Sequence, residues 1–144
     1  LSCCCPIFKY DVEGEIDLNQ KVLIIDDEKP TLAMFELFLE AYGFEVLTAE
    51  NGEEGIMAFE KENPSIVFTD IKMPGIDGFE VLERIKTISP GAVVIVITGH
   101  GDKELAKKAL DLKATDFIYK PVQKEALDAA LERAEKALKN GSGV

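Results

Sequence analysis

Five short apolar runs, each followed by a stretch with helical spacing, set the rhythm of this chain. Residues 21–26 (Lys-Val-Leu-Ile-Ile-Asp) form a β-branched run that predicts a buried strand. Pro30 suits the first turn of a helix, on which Leu32, Phe35, Phe38, Leu39 and Tyr42 recur at helical spacing until Gly43 stops it. Residues 44–48 read as a second strand. Asn51 with Glu54 three positions on predicts a capping box, opening a helix whose apolar face is Ile56, Ala58 and Phe59. Pro64 and Ser65 break that helix, and the third strand, 66–69, runs straight into Asp70. A helix over 77–88 groups Phe79, Leu82, Ile85 and Ile88 on one side. The fourth strand, 92–97, is almost purely apolar and ends at Thr98. Gly99-His100-Gly101 is then a turn, and Asp102 is placed to cap a helix reaching about Lys113. Residues 115–119 are the fifth strand, ending at Lys120-Pro121. The last helix lines up Leu127, Ala130, Leu131, Ala134 and Leu138, and the stretch Asn140-Gly141-Ser142-Gly143 is expected to end it.

Strand then helix, five times over, predicts an α/β fold: a five-stranded parallel sheet, doubly wound, with helices on both faces. The length of 144 residues suits one such domain. Residues 1–20 show no periodicity and hold Pro6, Gly14 and four acids, so they predict an N-terminal extension, poorly ordered and outside the core. The domain itself is expected over 21–139, and 140–144 reads as a tail or linker remnant. Cys3, Cys4 and Cys5 are consecutive, a spacing that suits neither a disulfide framework nor a zinc site. The net charge is −11, of which residues 1–20 contribute −3. That balance argues against direct nucleic-acid binding. No apolar run approaches the ~20 residues of a membrane span, so a cytoplasmic protein with no membrane partner is expected.

The strand ends carry the chemistry. Asp26, Asp27 and Glu28 leave strand one, Asp70 strand three, Thr98 strand four and Lys120 strand five. In a 2-1-3-4-5 order strands one and three are neighbours, ~4.8 Å apart, and their acids converge. Carboxylates so placed repel one another, and the remedies are raised pKa values or a hard divalent cation such as Mg2+ or Mn2+. With Lys120 and the Thr98 hydroxyl beside them, the group is suited to three anionic oxygens, those of a phosphoryl group on a carboxylate. Asp70 is then the candidate nucleophile.

The runs Ile24-Ile25-Asp26-Asp27-Glu28, Thr69-Asp70-Ile71-Lys72-Met73-Pro74-Gly75-Ile76-Asp77-Gly78, Ile97-Thr98-Gly99 and Tyr119-Lys120-Pro121 together resemble receiver domains of two-component response regulators. The resemblance covers roughly residues 21–139 and implies a flavodoxin-like, CheY-like fold. It also implies Asp70 as the phospho-acceptor, supplied by a sensor histidine kinase or phosphotransfer protein. Asp27 and Asp70 would bind Mg2+ through their side chains, Asp26 would help through water, and Lys72 would offer its backbone carbonyl. Thr98 would be the switch hydroxyl and Phe117 the switch aromatic, lacking the hydroxyl of a tyrosine. The surface of the fourth helix, with Lys103, Lys107 and Lys108, the fifth strand and the fifth helix would then address an output domain, a partner protein or a second copy of the phosphorylated chain.

Two other functions are open to such a fold. An aspartate-nucleophile phosphohydrolase usually carries a further acid two residues after the nucleophile, where this chain has Lys72. A flavin module needs a phosphate loop after strand one, where Asp26, Asp27 and Glu28 would repel the phosphate. The expectation is therefore a switch that acts on its own phosphoryl group rather than on an outside substrate. Lys72 and His100 are expected to tune how readily water reaches the phospho-aspartate.

Overall fold

Strands covered on both faces have no solvent side, and the unbroken apolar runs of this chain reflect that. The computed structural model describes residues 20–99 and 101–142. Its elements alternate as β1 (Lys21–Ile25), α1 (Lys29–Ala41), β2 (Glu45–Ala49), α2 (Gly52–Glu62), β3 (Ile66–Asp70), α3 (Gly78–Ile88), β4 (Val93–Gly99), α4 (Lys103–Asp111), β5 (Asp116–Lys120) and α5 (Lys124–Ser142). The strands form one sheet in the order β2-β1-β3-β4-β5, every pair parallel, as the alternation predicts. Expectations that fall on residues 1–19, including the three cysteines, on His100 and on residues 143–144 lie outside the described residues. Among the described residues no helix is long and apolar enough to cross a membrane.

Strand alternation divides the interior into two cores. Leu23, Ile25, Val67, Val94 and Val96 point to one face and pack with Ile56 and Phe59 of α2, Val81, Leu82 and Ile85 of α3 and Ala109 of α4. Val22, Ile24, Phe68, Ile95 and Ile97 point to the other and pack with Leu32, Phe35 and Leu39 of α1 and Leu127, Ala130, Leu131 and Ala134 of α5. Phe35 meets Phe68 with ring centroids 5.2 Å apart, fixing α1 over the middle of the sheet.

Several boundaries differ from the sequence expectation, with local causes. Gly43 takes φ +99°, a left-handed conformation that glycine adopts without a Cβ clash, and α1 stops before it as expected. α4 stops at Asp111 rather than Lys113, because Lys113 itself turns left-handed (φ 81°) and Ala114 N–H closes back on Ala109 O at 3.0 Å. α5 ends at Ser142, inside the stretch expected to stop it, and runs through Gly141; glycine weakens a helix by only about 1 kcal/mol and need not end one that is already propagating. Asn51 caps α2 by accepting Glu54 N–H at 2.8 Å, yet Glu54 Oε1 takes the N–H of Glu50 rather than that of Asn51. Ile88, expected on the buried side, is 45 % exposed at the last turn of α3, whereas Val81 is fully buried. Asp102 makes no side-chain capping bond to α4.

Candidate functional site

The register of the sheet assembles the site. Ile25 lies opposite Thr69, so the next residues, Asp26 and Asp70, emerge side by side. Asp70 is level with Ile97, which puts Thr98 one position further along β4, and Gly99 lies opposite Lys120 on β5. Behind Asp70 the first turn of α3 comes unusually close. Gly78 N–H donates to Ile71 O at 2.9 Å, and a Cβ at Gly78 would stand 2.6 Å from Ile71 Cα. Asp77 caps that helix through Glu80 N–H at 3.0 Å.

Lys120 ties the carboxylates together. Its Nζ donates to Asp70 Oδ2 at 3.0 Å and to Glu28 Oε1 at 3.2 Å, and lies 3.3 Å from Asp26 Oδ2. The second oxygens are held by the backbone: Ile71 N–H donates to Asp70 Oδ1 at 2.8 Å and Glu28 N–H to Asp26 Oδ1 at 2.9 Å. Asp26 is fully buried, Asp70 nearly so, and Asp27 exposed. One oxygen from each of the three lies within 4.8 Å of the others, a cluster that could hold a metal ion. Burial pushes the Asp26 carboxyl up to about 6, assisted by the Asp70 charge and opposed by Glu28 N–H and by Lys120. Burial likewise raises Asp70, against the hydrogen bond and charge of Lys120. For Lys120 burial works downward, but its bond to Asp70 and the charges of Asp70 and Asp26 outweigh it and hold the ammonium above its ordinary value.

Keeping Asp26 ionised in the fold therefore opposes stability. The Asp26 carboxyl titrates at about 6 in the fold, against an ordinary 3.8. The native state thus binds the extra proton, and this contribution to stability improves as pH falls through that window. Asp26→Asn is expected to stabilise the metal-free protein by about 1–3 kcal/mol near pH 8, with the gain fading near pH 4. Urea midpoints in the presence of a chelator, at both pH values, check this; a lower midpoint for the variant near pH 8 contradicts it.

The remaining sequence-nominated residues are placed as follows. Thr98 is buried, and its Oγ1 has no hydrogen-bond partner among the described residues. Phe117 is half-buried on the α2–α4 face, edge-on to Tyr119 with centroids 5.3 Å apart. The Lys72 side chain turns outward and pairs with Asp102 at 3.3 Å. Glu28, named at the end of strand one but given no role of its own, shares the Lys120 ammonium. The run Asp26-Asp27-Glu28 was the available signal, since a third acid at one strand end meets whatever cation the neighbouring strand presents.

Comparison with known proteins gives the arrangement a family. The family model described as "Response regulator receiver domain" matches residues 22–132. The chain is 38% identical over 113 residues to a cyclic di-GMP phosphodiesterase of Thermotoga maritima, spanning 78% of this chain and 30% of that protein. It is 35% identical over 126 residues to the probable transcriptional regulator ycf27 of Porphyra purpurea, spanning 85% of this chain and 51% of that protein. The chain thus spans about half the length, or less, of these curated relatives. A solved response regulator receiver domain protein from Clostridium thermocellum superposes with a TM-score of 0.77 at 37% identity, covering 85% of this chain and 97% of that one. With four acids and a lysine gathered at the carboxyl edge of a 2-1-3-4-5 sheet, and with these matches over most of its length, the chain belongs to the response regulator receiver domain family and is a module of two-component signalling.

Proposed function

We propose that Asp70 is the phospho-acceptor of this receiver domain, taking a phosphoryl group from a phosphohistidine of a sensor kinase or phosphotransfer protein. The observation that carries the reading is the Asp70 carboxylate held between Ile71 N–H and Lys120 Nζ, with Asp26 and Asp27 beside it. A carboxylate oxygen of Asp70 forms the new O–P bond as the N–P bond of the donor breaks, and the departing imidazole nitrogen takes up a proton. No water is consumed until the acyl phosphate hydrolyses.

The donor set suits a hard cation: oxygens only, with a buried Asp26 Oδ2 whose sole neighbour of opposite charge among the described residues is the Lys120 ammonium 3.3 Å away. Asp26, Asp27, Asp70 and the Lys72 backbone carbonyl are the residues assigned to Mg2+ or Mn2+. Such an ion, when bound, offsets negative charge on the transferring group. Lys120 is already beside Asp70 and neutralises a second oxygen. The Thr98 hydroxyl, buried and with no partner among the described residues, is drawn to the third. Phe117 then fills the space Thr98 leaves, and the α4–β5–α5 surface changes. That surface addresses an output domain or partner, transcriptional or of another signalling kind, or a second phosphorylated copy of the chain.

The test is exposure of the protein to acetyl phosphate with Mg2+, followed by intact mass. One added phosphoryl group per chain, dependent on the divalent ion and lost on chelation by at least about tenfold, is expected. Labelling that is unaffected by chelation would remove the metal from the proposal.

A further inference from the structure

Asn51 and Asp77 each precede a helix at this edge of the sheet, and each accepts a first-turn backbone N–H, from Glu54 at 2.8 Å and from Glu80 at 3.0 Å. Asp102 stands at the same position before α4, has the same chemistry, and makes no such bond. Its Oδ2 lies instead 3.3 Å from Lys72 Nζ. The carboxylate folds back over the end of β4, so that a Cβ on Gly99 would stand 3.0 Å from Asp102 Oδ2. The neighbouring Thr98 is the buried hydroxyl that has no partner among the described residues. An ion pair thus joins the loop that follows Asp70 to the loop that follows Thr98, and it does so with a side chain that the adjoining helix would otherwise use.

We propose that Asp102 is a positioning residue with two alternative partners. Paired with Lys72, it holds the entry to α4 in the resting arrangement. When Thr98 is drawn toward a phosphoryl group on Asp70, the carboxylate leaves Lys72 and caps α4. The inference rests on the roles given above to Asp70 and Thr98. Its energetics are balanced by design of the two partners. The Lys72 side chain is 71 % exposed, and an ion pair in that setting is weak and readily released. A cap bond of comparable or greater strength replaces it in the switched state. The position of the switch is then adjustable from a site that does not touch the phosphoryl group.

Amide hydrogen exchange at Glu104 and Leu105, the first-turn N–H groups of α4 that a cap would engage, tests this on the full chain with Mg2+ and acetyl phosphate. Intact mass on the same samples gives the occupancy of Asp70. Labelling is expected to raise protection at these amides roughly five-fold in the unaltered protein. Asp102→Asn keeps an acceptor but loses the ion pair, so it should show part of that protection before labelling. Asp102→Ala should show none in either state. Lys72→Met should resemble Asp102→Asn before labelling, and the double variant should add nothing to either single one. A labelled chain with unchanged protection, or Asp102→Ala behaving as the unaltered protein, overturns this proposal alone. A chain that takes no label overturns it together with the assignment of Asp70.

Discussion

Asp70→Asn is expected to lower labelling by acetyl phosphate by at least about a hundredfold, leaving a folded protein. The amide keeps the shape of the carboxylate and an oxygen to accept Ile71 N–H, now at 2.8 Å. What it loses is the anionic oxygen that attacks phosphorus. Neither neighbour is placed to substitute: Asp26 is fully buried with one oxygen on Glu28 N–H, and Asp27 is exposed at the rim. Intact mass with and without Mg2+ measures the outcome, and peptide mapping finds any displaced label. Stoichiometric labelling of the variant would move the nucleophile to another acid. The same substitution relieves a buried charge whose pKa burial has raised, so the metal-free variant should unfold at higher urea than the unaltered protein.

The second large effect is expected far from any charge. Gly78→Ala places a methyl group 2.6 Å from Ile71 Cα and closer still to the Asp70 carbonyl oxygen. Both obstacles are backbone, so no side chain can rotate away, and either α3 or the end of β3 must move. A loss of about 3 kcal/mol or more in urea unfolding is expected, with slower labelling because the displaced backbone carries the nucleophile. Gly91→Ala is the control: a Cβ there meets nothing within 4 Å, and its effect should stay within about 0.5 kcal/mol. Equal midpoints for the two variants would contradict this expectation.

The fold was legible because its strands are buried on both faces. Val22 to Ile25 and Val93 to Ile97 are almost wholly excluded from solvent, which leaves an apolar run no polar alternation can disguise. The convergence of Asp26, Asp70 and Lys120 was legible for a related reason: parallel strands all end at one edge, so the residue after each apolar run is a candidate neighbour. Local rules failed where a distant partner competed. Asp102 reads as a cap from its own neighbourhood, but Lys72, thirty positions earlier, takes its carboxylate. Glu28 carries no role of its own by its position after strand one, but Lys120 reaches it from the far strand. Ile88 fits the apolar stripe of α3 by spacing, while the last turn of that helix has run past the surface it covers. Spacing gives the face of a residue, and only the assembled sheet gives what lies opposite.

The sheet that separates the two cores also separates the effects of substitutions made in them. Side chains on the α1–α5 face and those on the α2–α4 face share few direct neighbours, since the strands stand between them. Substitutions on opposite faces should therefore combine additively, whereas those within one face should not. A lineage could rebuild Phe35, Leu39 and Leu131 to suit one set of contacts while leaving Phe59, Val81 and Leu82 untouched. The residues common to both sides are the strand ends, and they alone would be constrained by both faces at once.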